Sequence, residues 1–260
     1  MKLIFSPVKL AMIVMALAIV ACSVGAPAPT ATPVPTNTPV PPTDTPLPTA
    51  TATKTPLPTA TPNVAATQQV EAISALVQSA YDQGQIDSTK GKFLALDDFI
   101  MDYAQLGYYN YFDTNQTVTD FVVSTHIMWK SAVANPDLSG CGFVFRLESD
   151  GDHYLIYLDR DRIRVAVSNA SGGWTAGIGT SAGNGRVDFG NPAETDFAMV
   201  VNGGKVYVYL DGEYRAEFTV FSSQFSYPTG RLAFAIKSGT NKDYGIHCEM
   251  TNVGLWRIEH

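Results

Sequence analysis

Glu148, Asp150 and Asp152 place three carboxylates within five positions, the nearest thing in this chain to the acid–base set that glycoside hydrolysis needs. That chemistry requires two carboxyl groups about 5 to 10 Å apart, one to protonate the leaving oxygen and one to attack or to activate water. Asp150-Gly151 falls between two apolar runs and reads as a hairpin turn, which assigns the cluster to a solvated tip. Its oxygens are hard ligands of the kind calcium takes, but the regular Asp spacing of a calcium loop is missing, so no cofactor or metal is assigned beyond that one candidate cation. Gly179-Thr180-Ser181-Ala182-Gly183 has the form G-x-S-x-G. A nucleophile elbow needs a helix after the serine, and the following "NGRVDFGNP" is no helix. His126, His153, His247 and His260 lie far apart and form no recognisable set, so no catalytic residue is assigned.

A second chemistry is recognition. Along the strand-like runs Phe143, Phe145, Leu147, Tyr154, Ile156, Leu158, Ile163, Val165, Val167, Val206, Val208 and Leu210 share one phase of a period-two pattern and are expected to be buried. The opposite phase carries Arg146, Glu148, Tyr157, Asp159, Arg162, Arg164, Lys205, Tyr207 and Tyr209. Flat rings cover the apolar faces of sugars while charged groups bond hydroxyls, which makes Arg146, Tyr157, Tyr207 and Tyr209 candidate ligand-binding residues. An ordinary half-solvated sheet rich in tyrosine would show the same pattern. Trp174, in the glycine-rich stretch 169–192, either lids a ligand or tucks against the core, and both readings stay open.

These residues need a scaffold. Val70, Ile73, Leu76, Val77, Ala80 and Tyr81 recur at three and four, which predicts one helix over residues 67–81, with Gly84 to stop it. From Thr119 onward, short alternating runs separated by Gly, Asn and Asp turns predict an all-β, antiparallel sandwich. The chain is 45% hydrophobic with a net charge of −7, which is enough apolar content for a core and argues against a nucleic-acid partner.

Gly142 to Arg146 (Gly-Phe-x-Phe-Arg), Tyr154 to Leu158 (Tyr-Leu-x-Tyr-Leu), Val206 to Gly212 (Val-Tyr-Val-Tyr-Leu-Asp-Gly), Gly230 to Phe234 (Gly-x-Leu-Ala-Phe) and Thr251 to Trp256 (Thr-Asn-Val-Gly-Leu-Trp) resemble the strands of concanavalin A-like, laminin-G-like jelly rolls. Within that superfamily the chain is similar to 3-keto-disaccharide hydrolase-like modules on stalked bacterial lipoproteins. The resemblance covers residues 119–259 and implies fold more than chemistry, since lectins, glucanases and adhesion modules share it. The Glu-x-Asp-x-x-Glu strand of the jelly-roll glucanases is absent, and residues 67–115 are not explained by the common core.

Ahead of the cargo, Lys2 and Lys9 precede an apolar run too short to span a membrane, ending in Ile19-Val20-Ala21-Cys22. That ending resembles the lipobox of bacterial lipoproteins, which implies a signal peptide over 1–21 and a lipid on Cys22. An ordinary signal cut near Ala26 or Ala28 is the alternative. A Thr/Pro-rich linker over 22–64 follows; in polyproline II it reaches on the order of 100 Å. Lipidation of Cys22 leaves Cys141 and Cys248, either one disulfide or two buried thiols. The expected organisation is signal peptide, stalk, a helix with an N-terminal extension over 65–118 and a sandwich over 119–260. The expected protein is extracellular and lipid-anchored to the cell membrane, and it presents a non-catalytic, lectin-like module to a polysaccharide or surface glycan. The alternatives are a structural or adhesive protein-binding module and a glycoside or keto-sugar hydrolase.

Overall fold

The computed structural model describes residues 64–133, 139–170, 174–180 and 188–260, with the side chains of 64–65 and 174–180 excepted. The signal peptide, Cys22 and all but the last position of the 22–64 stalk lie outside the described residues. Among the described residues no helix is long and apolar enough to cross a membrane.

The helix α1 runs Val64–Asp82. Thirteen strands are described: β1 (Gly91–Ala95), β2 (Phe99–Tyr103), β3 (Tyr109–Val118), β4 (Phe121–Ser131), β5 (Gly140–Leu147), β6 (His153–Leu158), β7 (Ile163–Asn169), β8 (Trp174–Thr180), β9 (Ala193–Asn202), β10 (Lys205–Leu210), β11 (Glu213–Thr219), β12 (Gly230–Lys237) and β13 (Ile246–Ile258). The first sheet has the order β1-β13-β4-β9-β10-β11, with β2 also on β13, and the second has β3-β12-β5-β6-β7-β8. Every strand pair is antiparallel. The chain crosses between sheets from β2 to β3, β3 to β4, β4 to β5, β8 to β9, β11 to β12 and β12 to β13. This is the jelly-roll sandwich that the strand motifs imply.

Period-two alternation aims one side of each strand into the space between the sheets. Phe143, Phe145, Tyr154, Ile156, Leu158, Ile163, Val165, Val167, Val206, Val208 and Leu210 all join that core, as their shared phase predicts. Leu147 does not: it packs with the outward-facing cluster of the second sheet. The cause is a bulge. Arg146 has φ +52°, and the β12 register shifts opposite it between Arg231 and Ala233. Gly230 makes room, because a Cβ there would come within 2.4 Å of the Arg146 carbonyl carbon. The extra residue turns Arg146 inward and Leu147 outward.

Cys141 on β5 and Cys248 on β13 form a disulfide between the two sheets, with Cα atoms 6.2 Å apart and both side chains buried. Strands from before Thr119 also enter the sandwich. β1 and β2 share the edge of β13, and β3 is an edge strand of the second sheet. Their edge positions explain why motifs taken from the central strands did not reach them.

The helix docks on the outer face of the first sheet. Ile73, Val77 and Ala80, one stripe at four and three, bury against Val122, Val200, Tyr209 and Ile258. Its backbone ends at Gly84, whose φ of +69° suits the left-handed stop a glycine allows.

Candidate functional site

Of the five residues expected to bind ligand, the four whose side chains are described do not share one surface. Tyr157 lies on the outer face of the second sheet, whereas Tyr207 and Tyr209 lie on the outer face of the first. Alternation sets the phase within a strand but not the sheet that the strand joins, so two outward tyrosines on β6 and β10 point away from each other. Tyr209 is 3% exposed beneath α1, and its hydroxyl donates to Gln85 Oε1 at 2.6 Å. Tyr207 packs into the same helix-covered cluster. Arg146 is fully buried and faces no solvent at all. Trp174 opens β8 opposite Asn169, which puts a strand inside the stretch read as a loop; its side chain lies outside the described residues. The G-x-S-x-G match begins on β8 at Gly179 and Thr180, and its serine falls outside the described residues. Asp150 and Asp152 belong to the β5–β6 hairpin, where Asp150 accepts from the Asp152 backbone N–H at 3.1 Å and Asp152 from that of Ala170 at 2.8 Å. Among the described residues no group of His, Cys, Asp or Glu is arranged to hold a metal.

The outer face of the second sheet carries a buried apolar cluster of its own. Val144, Leu147, Leu155, Tyr157, Ala233 and Ala235 form a buried cluster against which Tyr109 packs. The Tyr109 hydroxyl meets His153 Nε2 at 2.9 Å, and His153 Nδ1 lies 2.7 Å from the Gly151 carbonyl oxygen. A carbonyl only accepts, so Nδ1 carries the proton and Nε2 accepts from the tyrosine. Burial pulls the His153 pKa down and keeps the ring neutral. Toward one end of this face, Arg164 pairs with the buried Asp159 and with Asp161. Burial, followed by the negative charge of Asp159, pushes Tyr157 well above the ordinary phenol range. Lys237 is pulled down by burial and then by Arg164, and it donates to the Gly107 carbonyl at 2.8 Å.

Gly107 belongs to the β2–β3 turn, within "YAQLGYYNYF" over residues 103–112. Here aromatic surface is open to solvent: Tyr108 is 61% exposed, Leu106 57% and Tyr111 37%. Tyr111 pairs with Ala235 of the buried cluster, so its ring stands on the same face, 5.3 Å from the His153 ring. Lys237 ties this turn to the Arg164 end of the face. The structure therefore does hold exposed tyrosine on this face and in the turn that Lys237 holds, but the rings are Tyr111 and Tyr108. A run of tyrosines in a polar, glycine-containing turn was the available signal, and it lay in the stretch that the family resemblance did not cover.

The first sheet carries three histidines, each held between carboxylates. His126 Nδ1 lies 2.8 Å from Asp196 and Nε2 3.1 Å from Glu194; His247 bridges Asp102 at 2.6 Å and Glu249 at 2.9 Å; His260 bridges Asp120 at 2.8 Å and Asp87 at 3.2 Å. Hydrogen bonds to these carboxylates raise all three pKa values above 6.5. A raised basic group stabilises the fold fully below its unfolded value and loses that contribution as pH rises through its folded value. His153, with its lowered pKa, acts in the opposite sense. The melting temperature of wild type is expected to exceed that of His126→Gln, His247→Gln most at about pH 5 to 6, the gap closing as pH rises through the raised folded values. A gap that does not change with pH would contradict this.

His126 also lines a cleft of about 480 Å³ between the first half of α1 and the outer face of the first sheet. Gln68, Gln69 and Leu76 come from the helix, Ser124 and Thr125 from β4, Asp196 from β9, Tyr209 from β10 and Asn252 from β13. Asn252 sits in the left-handed region, φ +54°, where the β13 register shifts against β4.

No protein-family model and no curated protein sequence matches the chain. Solved structures of similar fold include carbohydrate-binding module CBM66 from Bacillus subtilis, 14% identical over 62% of this chain and 92% of that one, with TM-score 0.42. The carbohydrate recognition domain of Emp46p in its potassium-bound form is 9% identical over 62% and 89%, with TM-score 0.41. A fructosyltransferase from A. japonicus is 17% identical over 66% of this chain, with TM-score 0.43, and this chain spans 27% of its length. The class of the protein rests on its own two sheets and their crossovers: it is an antiparallel β-sandwich of jelly-roll form.

Proposed function

We propose that this chain is a non-catalytic glycan-binding protein held outside a membrane by lipid on Cys22 and carried away from it by the Thr/Pro-rich stalk. The observation that carries the binding reading is Tyr111, 37% exposed on the outer face of the second sheet, with Tyr108, 61% exposed, in the adjoining turn whose Gly107 carbonyl Lys237 holds. Exposed aromatic rings lose water readily against the C–H face of a sugar, and neighbouring cations bond its hydroxyls or acidic substituents. The buried apolar cluster against which Tyr109 packs favours an extended glycan lying along this tyrosine rim over a buried monosaccharide.

A glycan array probed with the full-length protein is expected to give selective binding. Tyr108→Ala and Tyr111→Ala should each weaken it roughly 2- to 10-fold, taking the increment of one aromatic stacking contact. Uniform silence from folded protein would overturn the reading in favour of a protein partner, and retention of binding in both variants would remove the rim as its site.

A further inference from the structure

We propose that the cleft beneath α1 is a separate binding site for a pyranose carrying a protonated amine. The proposal deepens the glycan-binding reading and rests on it, but it uses a different face of the sandwich from the tyrosine rim.

Size and lining both fit. About 480 Å³ lies within the range of small-molecule sites. Hydroxyl-rich ligands need groups that both donate and accept, and the amides of Gln68, Gln69 and Asn252 with the Ser124 hydroxyl supply them on three sides. Leu76 and Tyr209 give the apolar contact that a sugar ring requires.

Charge then selects among sugars. No Lys or Arg is among the lining residues; the ionised groups there are Asp196 and its partner His126, with Glu194 against the other side of the same ring. An anionic sugar would meet two carboxylates. A neutral sugar would leave their pairing untouched. An ammonium can take the place of the imidazole between them, because it donates to both carboxylates as the two ring nitrogens of His126 do. Both carboxylates are well exposed, with side chains 74% and 68% accessible, so the exchange needs no opening of the fold.

The test is calorimetric titration of the full-length protein with glucosamine, N-acetylglucosamine and glucose at about pH 6, where the free amine is protonated, while the His126 ring resonances are followed by NMR. Glucosamine is expected to bind and to move the His126 resonances, with the other two sugars at least about tenfold weaker. Asp196→Asn should lose about tenfold or more of that binding, whereas His126→Gln, which removes the competing cation, should tighten it several-fold. Tightening is the readout that a merely structural role for His126 would not give.

Equal binding of all three sugars would overturn the amine claim and leave glycan binding standing. Glucosamine binding that is indifferent to Asp196→Asn, or silence at the cleft while the rim still binds glycans, would also overturn it. Silence of every sugar at both faces would remove the glycan reading itself.

Discussion

Replacing Arg146 with methionine is expected to be the most destabilising single change, about 3 to 5 kcal/mol, because it breaks a buried ion pair and orphans the groups around it. The guanidinium is fully buried. Nε and Nη2 donate to the Thr119 carbonyl at 3.1 and 2.8 Å, Nη1 to the Gly203 carbonyl at 2.7 Å, and Nη2 to Asp120 Oδ1 at 3.1 Å. Its charged carbon sits 5.1 Å from the Phe221 ring centroid. One side chain at the end of β5 thus holds the turn before β4 and the turn between β9 and β10, joining the two sheets where the core ends. Burial lowers the Arg146 pKa and Asp120 opposes that shift. In a unit of this size the loss corresponds to a fall of roughly 10 °C in melting temperature. Arg146→Lys should recover little of it, since a single ammonium cannot reproduce a planar fork bonded to three acceptors. Chemical denaturation with a change below about 1 kcal/mol in Arg146→Met would refute the assignment.

The second large effect is expected from the cross-sheet disulfide. Cys141 and Cys248 are 107 positions apart. In the chain-entropy account, closing a loop of about 100 residues removes freedom from the unfolded chain worth about 4 to 5 kcal/mol. Cys141→Ala, Cys248→Ala should therefore shift the urea midpoint sharply downward while leaving the sheet pairing intact. Because both sulfurs are buried, dithiothreitol should leave the folded wild type oxidised and act once urea opens it. Rapid reduction of the folded protein would contradict the placement of the bridge between the sheets.

These two linkages differ in how readable they were. With Cys22 assigned to lipid, the sequence leaves Cys141 and Cys248 as one disulfide or two buried thiols, and the structure makes them a disulfide. Arg146 was misread, because strict alternation places it outward between Phe145 and Leu147. A bulge is a one-residue departure from that period, and its cause lies a long way off in sequence, in Gly230 and the β12 register. The helix was legible from its stripe, and the structure runs it from Val64 to Asp82, slightly beyond the predicted 67–81. Its docking was not legible, because an apolar stripe requires a partner without naming one.

What the sequence determined by itself were the local periods: an amphipathic helix, a series of half-buried strands, the hairpin at Asp150-Gly151, the surplus cysteine pair and the absence of basic clusters. Those properties depend on neighbours within a few residues. Tertiary structure alone decided which sheet each strand entered, and with it which outward side chains share a surface. Tyr157 and Tyr209 carry the same local signal, yet one lies in the outer cluster of the second sheet and the other beneath α1 on the first. The cleft around His126 arises only where α1 and strands distant in the chain are brought side by side, and no pattern confined to a short window contains that information.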